Sequence, residues 1–165
     1  MFIIGADVNE RHTSQVRPLG ALALVKETNA PDRIYMYVQA TAAHSAGAVV
    51  LISGGTETAG YQTTLASTTS SAPGTGQGKM VGVVVDAFAI NEYGWVLVFG
   101  SAQITVLASC AAHTQLNTTG TSGALDDDAT AGSEVIDGIV LRAANGGSTA
   151  NVNAIVCWPK VGRTL

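Results

Sequence analysis

Apolar positions in this chain come in short runs, several of which alternate with polar positions. In Arg33–Ala40, Ile34, Met36 and Val38 share one face and Tyr35, Tyr37 and Gln39 the other. That period of two is the mark of a β-strand. Two tyrosines on the second face imply that it too is covered. Residues 19–25 (LGALALV), 48–52 (AVVLI) and 81–85 (VGVVV) read as further short strands. So do 95–99 (WVLVF), 103–108 (QITVLA), 135–141 (VIDGIVL) and 151–158 (NVNAIVCW).

Between the runs stand turn residues, each bending the chain for its own reason. Residues 26–32 (KETNAPD) and 53–60 predict turns, and 61–71 an exposed strand that gives way to a Ser/Thr loop. Gly100-Ser101 predicts a two-residue hairpin that pairs 95–99 with 103–108. Residues 109–134 read as loop, Gly138 as a kink within a strand, and Asn145-Gly146 as a hairpin turn. In the last strand Val152, Ala154, Val156 and Trp158 form one face, and Pro159 ends it. Together these predict about eight or nine short, mainly antiparallel strands in one all-β domain, a β-sandwich or β-barrel.

The domain is expected over 19–165, preceded by an N-terminal arm over 1–18. Phe2, Ile3 and Ile4 are apolar and should dock, either as an edge strand on the chain's own sheet or on a neighbouring subunit. Two hundred or fewer residues suit one domain, and 165 can bury roughly two-thirds of the unfolded surface.

Composition changes the picture in one respect. Charged residues are 12% of the chain, about half the usual share. Such a surface suits a subunit within an assembly better than a free enzyme. The net charge of −4 argues against nucleic-acid binding, which needs clustered cations. Residues 80–141 carry seven acids and no base, which makes a solvated face or one that meets a basic partner. No run reaches the length of a membrane span, and no signal peptide is visible, so synthesis in a cytoplasm is expected. Cys110 and Cys157 read as small buried hydrophobes, with their pairing open.

Chemistry is sparse. Residues 73–80 (PGTGQGKM) look like a phosphate-binding loop, but Pro73 replaces its first glycine and Met80 its Ser/Thr. A strand, not a helix, follows. Asp126, Asp127 and Asp128 lack the spacing of a calcium loop. His12, His44 and His113 have no partner at metal-ligand spacing. No catalytic residue, metal site or cofactor is therefore expected, and the chain is read as non-enzymatic.

Three pieces of sequence carry a resemblance: RIYMYVQA with GAVV at 47–50; VGVV at 81–84 with YGWVLVFG at 93–100; and TGTSGAL at 119–125 with GIVL at 138–141. In pattern and order, over about residues 19–160, they resemble the small β proteins that decorate or cement the heads of tailed bacteriophages. The resemblance implies a virion structural protein on the capsid surface that bridges major capsid protein subunits, as a homo-oligomer with a trimer favoured. Phe2, Ile3 and Ile4, with Arg11 and Arg17, would then be partner-binding residues. The longer loops leave room for a tail or fibre-base component. A carbohydrate-binding β-sandwich is the other alternative, and it would need exposed aromatics; Trp95 and Trp158 are expected to be buried.

Overall fold

The computed structural model describes residues 2–4, 6–26, 31–54 and 60–165, with side chains from residue 6 onward. Residues 27–30 and 55–59, within two of the expected turns, lie outside the described residues. The described residues form eleven strands and no helix. These are β1 (Phe2–Ile4), β2 (Leu22–Val25), β3 (Arg33–Ala40), β4 (Val49–Ser53), β5 (Gln62–Leu65) and β6 (Met80–Val83). They continue as β7 (Tyr93–Val106), β8 (Leu116–Thr118), β9 (Leu125–Asp126), β10 (Glu134–Leu141) and β11 (Ala150–Thr164). Most pairings are antiparallel; β1–β2, β3–β5 and β7–β9 are parallel.

The pairings close two circuits that share β7. One runs β3–β5–β4–β6–β7 and back to β3. The other runs β7–β11–β10–β8–β9 and back to β7. Inside the first ring lie Met36, Val38, Val50, Ile52, Val96 and Val98, with Leu65 and Met80 packed against them. A larger core takes the opposite faces of the same strands, through Tyr35, Tyr37, Leu51, Val83, Trp95 and Leu97. It joins them to the interior of the second ring, through Ile104, Leu116, Leu125, Ile139, Leu141 and Val156. The strand alternation read in Arg33–Ala40 is thus real, and both of its faces are buried by the chain itself.

β7 corrects the expected hairpin. It runs without reversal through Gly100 and changes partner there: Tyr93–Phe99 pair with β3, and Phe99–Val106 with β11. Gly100 has φ +117, and a Cβ on it would sit 2.7 Å from the Arg33 Cγ. The glycine serves a bend that lets another chain segment lie close, not a two-residue turn. Gln62–Leu65 is a strand between β3 and β4, with Thr63 fully buried and Thr64 exposed. The expected loop over 109–134 contains β8 and β9, and Glu134 opens β10 completely buried.

The N-terminal segment is fastened to the domain. β1 is the edge strand, parallel to β2, so the edge-strand alternative is the one observed. His12 exchanges backbone hydrogen bonds with Tyr93.

Candidate interaction surface

The last strand carries the main departure from sequence expectation. β11 does not end at Pro159. Opposite β10 its register jumps: Ile139 faces Val156, yet Asp137 faces Lys160. Gly138 alone therefore stands against Cys157, Trp158 and Pro159. This β-bulge accommodates Pro159, which has no N–H for the ladder. Gly138 has φ +83, and a Cβ there would lie 2.6 Å from the Cys157 carbonyl oxygen. Trp158 itself has φ +44, a left-handed conformation that is uncommon for a non-glycine residue.

The bulge shifts the inward parity of the strand. Val152, Ala154 and Val156 point in before it, Pro159 and Val161 after it. Trp158, expected on the buried face, is instead turned outward, and Cys157 is exposed as well. Sequence alternation missed this because it assumes an unbroken period of two. The available signals were Pro159 inside an otherwise good strand pattern and Gly138 within the strand opposite.

Register then assembles a continuous outer face. Directly opposed residues share a face of the sheet. Val140 stands opposite Ile155, Ile155 opposite Ser101, and Cys157 opposite Phe99. Phe99, Val140, Ile155 and Trp158 are 36%, 43%, 47% and 44% exposed; the other exposed large apolar residues described, Val16 (53%) and Ile90 (61%), lie outside these strands. Further along the same two strands the face turns polar. Asn153 stands opposite Gln103 and Asn151 opposite Thr105. There it forms one wall of an open groove of about 610 Å³ that Arg33 and Arg142 also line.

The residues singled out from sequence lie elsewhere. Backbone only is described for Phe2, Ile3 and Ile4, so the apolar contact expected of their side chains lies outside the described residues. The Arg11 guanidinium donates to the carbonyls of Asp86 (2.7 Å), Glu10 (2.8 Å), Val8 (3.2 Å) and Ala87 (3.3 Å). It also stacks 4.2 Å over the Phe88 ring. Arg17 lies 3.8 Å from Glu10 and 5.8 Å over Trp95. Both cations act within this fold as staples of the N-terminal segment.

Of the titratable groups, His44 is buried, with Nε2 3.0 Å from the Thr63 hydroxyl and its ring 6.3 Å from that of Phe88. Burial outweighs its hydrogen bonds and lowers its pKa. The Cys110 sulfur lies within 4.8 Å of carboxylate oxygens of Asp126 and Asp127, a juxtaposition with no counterpart in the sequence pattern. Burial, then those two carboxylates, push the thiol up to about 12. It is a buried thiol of the core. The carboxylates already accept from backbone N–H groups, Asp127 from Ala111 and Asp126 from Asp127. The loop over 73–79 holds turns and leads into β6, with Gly78 and Lys79 tied to Val161 by backbone hydrogen bonds.

Compared with known proteins, the sequence matches no protein-family model and no curated protein.

Proposed function

We propose that this chain is a non-enzymatic virion structural protein that binds the outside of a tailed-phage capsid and bridges major capsid subunits. The observation that carries this reading is the exposed apolar face of Phe99, Val140, Ile155 and Trp158 on β7, β10 and β11. Exposed apolar residues gathered on neighbouring strands favour a contact surface. The strained backbone at Trp158 favours it further, because strain that costs stability needs a role to maintain it. The low charge of the chain and the resemblance of its strand pattern to head decoration proteins agree with this reading. Binding to the assembled shell alone would stabilise the shell by mass action. The edge of β1, with Phe2, Ile3 and Ile4, is a second contact in this reading, and the chain acts as a homo-oligomer, a trimer favoured. Arg11 and Arg17, which also hold the N-terminal segment against the fold, are partner-binding residues in this reading.

The test is co-sedimentation of the purified chain with assembled shells of the virus that carries it. Saturable binding to shells, with none to dissociated capsid subunits, is expected. Absence of binding to the shells, with the chain folded, would reject the proposal.

One observation favours a second reading, a carbohydrate-binding module. It requires exposed aromatics, and Trp158 and Phe99 supply them. A glycan array probed with the labelled chain separates the two readings: selective retention of a glycan supports this one, and a blank array removes it.

A further inference from the structure

We infer that an extended segment of the capsid subunit adds as a short strand to a gap in the pairing of β7 at Ser101–Gln103; this rests on the virion reading and names where the partner's chain sits. On the side of β7 away from β11, the backbone is bonded before and after this gap. β3 pairs there as far as Phe99. Further on, the Thr105 N–H donates to the Gly47 carbonyl at 2.8 Å and the Leu107 N–H to the Leu125 carbonyl at 3.0 Å. Backbone groups along a strand point alternately to its two sides. Ser101 and Gln103 are in phase with Thr105 and Leu107, so their N–H and C=O groups point the same way. No described residue pairs with them there, and such groups need partners when a surface is covered.

The gap in pairing coincides with a gap in packing. Ala102 has the inward parity of Ile104 and Val106, yet those two are fully buried and Ala102 is not. With Val85, also partly covered, it rests against the larger core and lines the groove. A three-residue segment laid antiparallel along the gap would exchange backbone hydrogen bonds with Ser101 and Gln103. Its middle side chain would turn inward beside Ala102 and Val85, a position that suits a small apolar residue, and the two flanking side chains would turn outward. Ser101 stands opposite Ile155, so the gap borders the exposed apolar face, and a partner seated on that face reaches it directly. Flanked by β3 at one end and Gly47 at the other, the gap admits a single chain segment. That disfavours the edge of a second copy's folded sheet as occupant.

The experiment is amide hydrogen exchange of the full chain, free and bound to assembled shells, read residue by residue. In the free chain the N–H groups of Ser101 and Gln103 should exchange fast, while those of Ala102 and Ile104, on the side paired with β11, exchange slowly. On shells the first two are expected to slow at least about tenfold. Gln103→Pro removes an N–H that the β7–β11 ladder does not use. It should weaken shell binding about tenfold, the scale of one lost backbone hydrogen bond, at an unchanged unfolding midpoint. Gln103→Ala keeps the N–H and should bind as the unaltered chain does. Shell binding with Ser101 and Gln103 still exchanging fast would overturn the inference and leave the virion reading standing. Equal binding by folded Gln103→Pro would do the same, since the edge would then be covered without being bonded. Slow exchange of both groups in the free chain that becomes fast on dilution would assign the gap to a second copy and overturn the inference. Absence of shell binding would overturn the inference and the virion reading together. If Gln103→Pro does not fold, exchange in the unaltered chain decides alone.

Discussion

The two halves of β7 make an instructive contrast. From Tyr93 to Val98 the strand is buried on both faces: Val96 and Val98 fill the first ring, and Trp95 and Leu97 the larger core. Beyond Gly100 only one face is buried. Ile104 and Val106 point inward, and no strand among the described residues lies over the outer side, with Phe99, Ser101 and Gln103. β11 repeats the second situation, with Val152, Ala154 and Val156 inward and Ile155 outward. The same strand is therefore complete in one half and one-sided in the other. Apolar residues in the complete half hold the fold together. Those on the outer face of the open half contribute little to it and are free to meet a partner.

The contrast is broken most sharply by Trp95→Ala. Trp95 is fully buried and packs edge-on to Tyr37 at 5.1 Å. Loss of about 3–5 kcal/mol is expected in urea unfolding. Next comes Gly138→Ala, which forces a side chain into a left-handed conformation at the bulge. That costs about 1–3 kcal/mol, and the approach of the Cys157 carbonyl adds to it. The altered emission of Trp158 would report that the bulge has shifted. If Gly138→Ala leaves both stability and emission unchanged, the bulge does not present Trp158 in the way described.

A third expectation concerns acid. His44, at the mouth of the first ring, is held below the ordinary imidazole value of 6.5 by burial. The unfolded chain then binds a proton there that the folded chain lacks. Stability from this group is full above that value and falls as pH drops below it toward the lowered folded value. His44→Gln should flatten the slope of unfolding midpoint against pH over that window. The smallest effect is expected of Trp158→Ala, within about 0.5 kcal/mol, since surface substitutions rarely cost more. A large loss of stability there would mean that Trp158 is a packing residue after all.

Much of the contrast was legible in the sequence, and its limits have physical causes. The alternation in Arg33–Ala40 and the apolar runs of β4 and β6 identify strands, because local side-chain period reflects burial directly. Gly138 was readable as a kink for the same reason: a glycine among β-branched residues has little other use in a strand. Gly100 misled, because the backbone freedom that suits a turn equally suits a bend. Only the long-range partners, β3 on one side and β11 on the other, decide between them. The bulge at Pro159 depends on which residue of β10 lies opposite, which no local pattern contains. β8 and β9 are too short to show a period at all. The outer face is therefore a product of register, and no stretch of sequence shows it.

The most direct test of that face is a single substitution, Ile155→Asp, in the shell co-sedimentation assay. Ile155 sits mid-face between Val140 and Ser101 and is half exposed. A carboxylate there leaves the core untouched but cannot be buried cheaply against a partner. The account predicts an unchanged unfolding midpoint and loss of shell binding by at least tenfold. An Ile155→Asp protein that is folded and binds shells as tightly as the unaltered chain would contradict it.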